Sequence, residues 1–199
     1  MPISAAEVKK LRDMTGAGMM DCKNALKETN GDVDKAIEFL RKKGIASATK
    51  RSGREVNEGV IISYIHPGSR LGVLVEVNCE TDFVAKTDDF QALAKDIAMQ
   101  IAASNPIAVN REDISQELVD KEMDIFRTQA KNEGKPEQVI EKIVQGKLDK
   151  YYQEIVLMEQ SFVKNPDKTI QEYMMEVSGK IGENISIKRF VRYQIGEDN

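Results

Sequence analysis

The sequence predicts an α+β protein. We expect an N-terminal three-helix bundle, a core of helices packed on a small antiparallel sheet, and a protruding antiparallel helical hairpin. Three patterns support this class: helical apolar periodicity near the N-terminus, two Val- and Ile-rich stretches around a Pro-Gly turn, and a long charged segment with a narrow apolar seam. The 199 residues are 41% apolar and 31% charged, with a net charge of −4. These ordinary values argue against a disordered chain, a membrane protein and a globally basic nucleic-acid binder.

The N-terminal part predicts three short helices. Ser4 and Glu7 have the spacing of a capping box, which satisfies free amides at a helix start. The second helix spans about residues 19–29, and the third begins after Asp32 and is expected to end at Gly44. The apolar positions that follow the helical period are Val8, Leu11, Cys22, Ala25, Leu26, Val33, Ala36, Ile37 and Leu40.

Residues 59–65 and 71–78 predict a β-hairpin because both stretches are rich in Val and Ile and Pro67-Gly68 separates them. In the second stretch apolar and other residues alternate, which is typical of a strand with one buried face. A loop over residues 79–87 then leads to a helix that Asn105-Pro106 ends. Its apolar stripe consists of Phe90, Leu93, Ala94, Ile97 and Ile101.

Two long helices are predicted over residues 114–158, folded back at residues 134–136. Abundant charge around a narrow apolar seam indicates a helical hairpin that projects into solvent. Thr169 opens another capping-box pattern, and the helix that follows ends near Gly182. A last strand has apolar residues at alternate positions, namely Ile185, Ile187, Val191, Tyr193 and Ile195.

The charge distribution predicts two domains. Residues 1–54 contain twelve Lys and Arg against seven Asp and Glu, whereas the remainder contains seventeen against twenty-six. We therefore expect a bundle with a basic linker over residues 1–54. Residues 55–199 would form the α+β core domain, with the helical hairpin at about 112–158.

Few residues are suited to metal binding or catalysis. The chain has two distant cysteines, Cys22 and Cys79, and one histidine, His66. A zinc site needs about three or four ligands, so we expect no metal, no cofactor and no enzymatic activity. No apolar run approaches the roughly 18 residues of a membrane span. The N-terminus also lacks a basic-then-apolar signal, so a cytosolic location is expected.

The candidate catalytic groups have structural explanations. If His66 faces Leu71 in the hairpin, Cys79 faces Glu58, and the two reactive groups lie roughly 26 Å apart. Such a distance argues against a Cys-His pair. Two carboxylate pairs each open a helix, where acidic residues favour the positive end of the helix dipole: Asp88 with Asp89, and Glu112 with Asp113.

Phosphate or RNA binding is weakly supported. Residues 15–18 are glycine-rich, but they follow no strand and lack the Lys-Ser/Thr of a phosphate-binding loop. The basic residues at 41–43 and 50–51 could contact RNA. A solvated helix end fits them better, because no aromatic residues lie between them.

Two segments allow a structural or a docking role. Met19 and Met20 follow a glycine-containing turn, and Met side chains adapt well to partner surfaces. The pattern alone favours core packing slightly. Phe83 lies in the predicted loop after the hairpin, where core anchoring is favoured over a wedge that enters a partner's pocket.

Longer stretches around these segments resemble the elongation factor Ts family. They are LRDMTGAGMMDCK at residues 11–23 and EVNCETDFVAK at residues 76–86. IGENI at residues 181–185 and RYQIGE at residues 192–197 are also similar to the family. The resemblance therefore covers essentially the whole chain.

This resemblance implies a guanine-nucleotide exchange factor that binds GDP-bound elongation factor Tu during translation. It also implies a ubiquitin-associated-like bundle and a coiled-coil role for the helical hairpin. The residues that would dock on the partner's nucleotide-binding domain are Leu11, Arg12, Thr15, Gly16, Ala17, Gly18, Met19, Met20 and Lys23. The segment associated with Mg²⁺ displacement in the family would comprise Thr81, Asp82, Phe83 and Val84.

The resemblance also bears on assembly. Long family members carry two related sheet-containing repeats, and this chain has room for one. Since short members compensate by pairing, we expect a homodimer joined through the core domain, along the exposed edge of the sheet, and a two-to-two complex with elongation factor Tu. No membrane or direct nucleic-acid partner is expected.

The alternative function is a ribosome- or RNA-associated adaptor that uses the basic N-terminal residues. Binding through phosphates would weaken steeply as the salt concentration rises. Salt dependence therefore discriminates between this adaptor and an exchange factor that acts through an apolar wedge.

Overall fold

The structure, a computed structural model, describes residues 3–197 and has the predicted α+β class. The helices are α1 (Ala5–Thr15), α2 (Met19–Glu28), α3 (Val33–Arg51), α4 (Asp82–Ala85), α5 (Asp88–Ser104), α6 (Gln116–Asn132), α7 (Glu137–Ile155) and α8 (Ile170–Ile181). The strands are β1 (Glu58–Ile65), β2 (Leu71–Cys79), β3 (Ser161–Phe162), β4 (Asn165–Thr169) and β5 (Ile185–Gln194). Among the described helices, none has the length and apolar character needed to cross a bilayer.

The three N-terminal helices form as predicted. Ser4 Oγ accepts a hydrogen bond from Glu7 N at 3.2 Å, and Glu7 Oε2 accepts one from Ser4 N at 2.7 Å, which completes the capping box. The helices enclose a small core formed by Val8, Leu11, Cys22, Ala25, Leu26, Ala36 and Leu40. The likeness of this bundle to a ubiquitin-associated domain stays a prediction.

The third helix is longer than predicted. It continues through Gly44 to Arg51, so the expectation that Gly44 ends it is wrong. A glycine inside a helix costs about 1 kcal/mol relative to alanine but does not by itself stop the helix. Gly44 lies against Gly179 of α8, where a Cβ on Gly179 would lie 2.8 Å from the Gly44 backbone. The missing side chains therefore allow a close approach of α3 and α8, and Lys50 belongs to α3 rather than to a linker.

The β1–β2 hairpin has the predicted register. His66 N donates a hydrogen bond to Leu71 O at 2.9 Å, which fixes the pairing across the turn. Val73, Val75 and Val77 are buried, in agreement with the predicted buried face of the second strand.

The last strand completes a three-stranded sheet with the order β1-β2-β5. Ile195 N donates to Arg70 O at 2.9 Å, and Arg189 pairs with Glu76 at 2.8 Å. From the first pair to the second, the residue number increases along β2 and decreases along β5. These two strands therefore run antiparallel.

One face of this sheet carries exposed apolar side chains. Along β5, Ile185 and Ile187 are buried, but the later alternating apolar residues are exposed. Ile61, Leu74 and Val191 line one shallow depression. The exposed apolar side chains of the three strands are Ile61, Ile65, Leu74, Val191 and Tyr193.

The predicted helical hairpin is formed by α6 and α7. A turn containing Gly134 connects the two helices, which pack against each other. Arg127 pairs with Glu141 across the hairpin at 2.8 Å. At one end, the Arg111 guanidinium lies 4.3 Å from the centroid of the Tyr152 ring. The buried seam consists of Val119, Ala130, Ile140, Val144, Leu148 and Tyr152.

The short β3–β4 hairpin was not expected from the sequence. The fully buried Gln100 supports it, because Gln100 Oε1 accepts from Val163 N at 2.9 Å and Gln100 Nε2 donates to Ser161 O at 3.1 Å. A buried amide that satisfies two backbone groups orders a segment with little apolar periodicity.

The described chain packs as two compact units. The first unit comprises residues 3–60, 77–94 and 172–186, and the second comprises residues 61–76, 95–171 and 187–197. The predicted division of the chain at residue 54 stays a prediction.

The close approach of α3 and α8 predicts the effect of a single methyl group. We expect Gly179→Ala to lower the free energy of unfolding by about 1–3 kcal/mol, because the new Cβ would overpack against the Gly44 backbone. Gly146 is a matched control in α7, since a Cβ there would meet no atom within 4 Å. Alanine at that position should raise stability by about 0.5–1 kcal/mol. Urea titrations at one protein concentration would compare the variants, and equal stabilities would contradict the close approach.

Candidate functional site

Residues 82–85, within the family-like stretch 76–86, form one helical turn rather than the predicted loop. Thr81 is the N-cap of α4, and its Oγ1 accepts a hydrogen bond from Val84 N at 3.4 Å. Ala85 is buried and anchors the turn, whereas Phe83 is 79% exposed. The structure therefore contradicts core anchoring of Phe83 and presents this aromatic ring to solvent.

The start of this segment is fixed by two glutamates that act reciprocally. Glu183 Oε2 accepts hydrogen bonds from Glu80 N at 3.1 Å and from Thr81 N at 3.0 Å. In return, Glu80 Oε1 accepts from Asn184 N at 2.6 Å. This bond lowers the pKa of Glu80, and the Arg54 guanidinium lowers it further. The Glu80 carboxylate therefore favours the charged form, and the hydrogen bonds of the two side chains tie the end of β2 to the residues after α8.

The contacts of Glu80, Glu183 and Asn184 are not evident from the sequence alone. The available signal was resemblance to the family: Glu80 lies in the stretch 76–86, and Glu183 and Asn184 lie in the stretch 181–185. Two partners more than 100 positions apart cannot be paired from spacing in one sequence.

Asp82 has a partner next to it. Lys86 Nζ donates to Asp82 Oδ2 at 2.6 Å, one helical turn further along the chain. This hydrogen bond lowers the pKa of Asp82 and raises the pKa of Lys86. Asp82 is therefore an ionised, solvent-accessible carboxylate beside Phe83.

The turn between α1 and α2 presents methionines to solvent. Met14, Met19 and Met20 are 56%, 45% and 65% exposed, so the interpretation of the Met pair as core packing is wrong. The other predicted docking residues that are exposed are Arg12, Gly16, Gly18 and Lys23.

Leu11, Thr15 and Ala17 support this turn from within. Leu11 is fully buried in the bundle. The Thr15 hydroxyl donates to Leu11 O at 2.8 Å and accepts from Ala17 N at 3.3 Å. These contacts fix the conformation of the turn, and Leu11 offers no side-chain surface to a partner.

Cys79 is a buried thiol at the end of β2, and its Sγ donates to Thr81 O at 3.2 Å. Burial, and then the negative charge of Glu183, raise the pKa of Cys79 to about 11. His66 contacts Tyr64, with 3.0 Å between Nδ1 and the hydroxyl. Neither residue has the partner that an activated nucleophile requires.

Several of the remaining acidic and basic candidates have local partners. Asp89 pairs with Lys180 at 2.7 Å, and Asp113 accepts from Asn110 N at 2.8 Å. In the basic cluster, Lys42 and Lys43 pair with acidic side chains of the first unit. Within residues 3–197, no three His, Cys, Asp or Glu side chains are grouped so that they could hold a metal ion.

The environment of Cys79 predicts slow alkylation. In a Cys22→Ala background at pH 8, the native Cys79 thiol should react with iodoacetamide at least about a hundredfold more slowly than in urea. The raised pKa alone lowers the thiolate fraction by that factor. Mass spectrometry would follow the modification, and similar rates in native and unfolded protein would contradict the burial of Cys79.

Comparison with known proteins identifies the family that residues 11–23 and 76–86 resemble. The family model described as elongation factor TS matches residues 4–197. Elongation factor Ts of Desulforamulus reducens is 60% identical over 195 residues, which cover 98% of this chain and 90% of the relative. The protein of the same name from Geobacter sulfurreducens is 57% identical, and the alignment covers 99% of this chain and 91% of the relative. That from Moorella thermoacetica is 59% identical, with 98% of this chain and 96% of the relative covered. Similarity of this extent shows that the chain belongs to the elongation factor Ts family.

Proposed function

We propose that this protein binds the GDP form of elongation factor Tu and promotes GDP release during translation elongation. The observation that carries the proposal is Phe83, which is 79% exposed on a helical turn whose start is fixed by Glu183. Exposed aromatic side chains on fixed supports are typical anchors of protein interfaces. A partner in translation agrees with the cytosolic location that we propose for this protein.

Phe83 acts by displacing elements of the partner. In GTPases, Mg²⁺ links the nucleotide phosphates to protein loops that depend on the ion for their order. Insertion of Phe83 shifts these loops, so the partner's Mg²⁺ site weakens and GDP is held less tightly. Asp82 adds a polar contact with the displaced elements. No covalent bond is made or broken, so the protein acts by binding alone.

Exchange then follows from linkage between two ligands of elongation factor Tu. If this protein binds the nucleotide-free form more tightly than the GDP form, GDP must bind the complex more weakly by the same factor. Truncation of a central interface aromatic costs about 2–4 kcal/mol. This cost corresponds to roughly 30- to 800-fold in affinity.

The turn between α1 and α2 is the second docking segment in this proposal. Met19 and Met20 supply adaptable apolar contacts to the partner's nucleotide-binding domain, and Arg12 and Lys23 supply charge. Docking here keeps Phe83 close to its target, because both segments belong to the first unit.

A GDP-release measurement tests the proposal. With labelled GDP on purified elongation factor Tu, the wild-type protein should accelerate release strongly. Phe83→Ala should lower the acceleration by at least about thirtyfold, since the wedge is removed. Stopped-flow fluorescence gives both rates.

Ile107→Ala is the matched control, because Ile107 is a 54% exposed apolar side chain of the second unit. This variant should accelerate GDP release as much as the wild type does. Acceleration that survives Phe83→Ala would refute the wedge, and no acceleration by folded wild type would favour the RNA-associated adaptor. A steep loss of binding with salt would point to that adaptor as well.

The apolar face of the sheet supports a homodimer. Ile61, Leu74 and Val191 are exposed around one depression, and Tyr193 extends the same apolar surface. Large exposed apolar patches favour association, so we propose pairing through this face rather than along the sheet edge first expected. Two bound copies of elongation factor Tu would complete a two-to-two complex.

Analytical ultracentrifugation at micromolar concentration tests the dimer. The wild type should sediment as a dimer, and Leu74→Glu should shift it to the monomer because each protomer would bury an unpaired carboxylate in an apolar interface. Val139→Glu, which changes a 40% exposed valine of α7, should leave the dimer intact. A monomeric wild type would refute the homodimer.

A further inference from the structure

The residues that follow α8 contact the proposed wedge segment directly. Glu183 accepts three hydrogen bonds: from Glu80 N at 3.1 Å and Thr81 N at 3.0 Å on Oε2, and from the Thr81 hydroxyl at 2.7 Å on Oε1. These donors immediately precede α4, which has only four residues. A helix this short has no stability of its own, so its orientation depends on such contacts.

The support of Glu183 is itself firmly attached. The carbonyl oxygen of Glu183 accepts from the Ser178 hydroxyl at 2.5 Å, which closes the turn after α8. The adjacent Asn184 side chain donates to Arg54 O at 2.8 Å. Within the same unit, Gly179 lies against the backbone of α3. The carboxylate therefore projects from a rigid part of the first unit.

Lys180 connects the same end of α8 to the methionine-bearing turn. Its side chain passes over Gly16, where a Cβ would lie 2.3 Å from Lys180 Cε, and its Nζ pairs with Asp89 at 2.7 Å. Asp89 lies at the start of α5, shortly after the wedge segment. The C-terminal end of α8 and the residues directly after it thus contact both the turn between α1 and α2 and the start of the segment that carries Phe83.

We propose that Glu183 is a positioning residue that orients residues 81–84 and thereby presents Phe83 to the partner in one arrangement. Its effect on GDP release rests on the proposed function, whereas its effect on residues 81–84 is a property of the isolated protein. Glu183 acts through Thr81 and α4. Without the carboxylate, α4 samples other orientations, and only a fraction of the molecules presents Phe83 productively.

Amide hydrogen exchange of residues 80–85 in the isolated protein is the first measurement. Glu183→Ala should speed exchange at Glu80 and Thr81 by about tenfold or more, because their acceptor is lost. Glu183→Gln should retain protection: its amide oxygen accepts the two N–H groups, and the Thr81 hydroxyl turns to accept from the amide nitrogen. Glu55→Ala, at an exposed glutamate of the same unit, should change nothing.

The maximal rate of GDP release at saturating protein is the second measurement. Glu183→Ala should lower it about tenfold, and Glu183→Gln should stay within about twofold of the wild type. In a Phe83→Ala background, Glu183→Ala should cause no further loss, because Glu183 acts through the side chain already removed. If Glu183→Ala acted by general destabilisation, it would instead lower the rate of GDP release by the same factor in the Phe83→Ala background as in the wild type.

Unchanged amide exchange in Glu183→Ala would overturn the proposal, and so would a further tenfold loss in the Phe83→Ala background. If the wild type does not accelerate GDP release from elongation factor Tu, the proposed exchange function is refuted. Amide exchange in the isolated protein still decides whether Glu183 orients residues 81–84. Circular dichroism checks the fold of each variant. Should Glu183→Ala unfold, Glu183→Asp shortens the side chain by one methylene and withdraws the carboxylate from the same three donors, so it should also speed amide exchange at Glu80 and Thr81.

Discussion

The reciprocal hydrogen bonds between residues 80–81 and 183–184 are the interaction on which the candidate site depends. The carboxylate of Glu80 accepts from Asn184 N, and the carboxylate of Glu183 accepts from Glu80 N and Thr81 N. Each side chain satisfies backbone groups of the other segment, so neither half is complete alone. β2 ends and β5 begins beside this contact. It therefore sets the point at which the sheet gives way to the helical turn that carries Phe83.

Much of the fold follows from local rules. The capping box at Ser4 starts α1, and the short Pro-Gly turn sets the register that pairs His66 with Leu71. Gly44 does not end α3 as predicted, because a glycine that ends a helix and a glycine that allows close packing look the same in one sequence. The hairpin supported by Gln100 escaped notice for a related reason, since its order comes from a buried amide distant in sequence.

The site was less predictable than the fold. Composition shows that Phe83 and Met20 are large and apolar, but burial depends on whether another element covers them. In both cases the structure leaves them exposed, against the interpretation that size alone favoured. Resemblance to the family singled out two segments whose large apolar side chains the structure exposes, while the contacts of Glu183 emerged only in three dimensions. Leu11 illustrates the converse, because it belongs to the signature and yet packs inside the bundle.

The separation of Glu183 from the residues it orients has a consequence during synthesis. Thr81 is made 102 residues before Glu183. At 5–20 residues per second, the ribosome needs roughly 5–20 s to reach the second partner. Throughout that interval the nascent chain already displays Phe83 but lacks the carboxylate that orients it. Residues 80 and 81 therefore gain their hydrogen bonds to Glu183 late in translation, so incomplete chains carry the aromatic side chain without the contacts that support its segment.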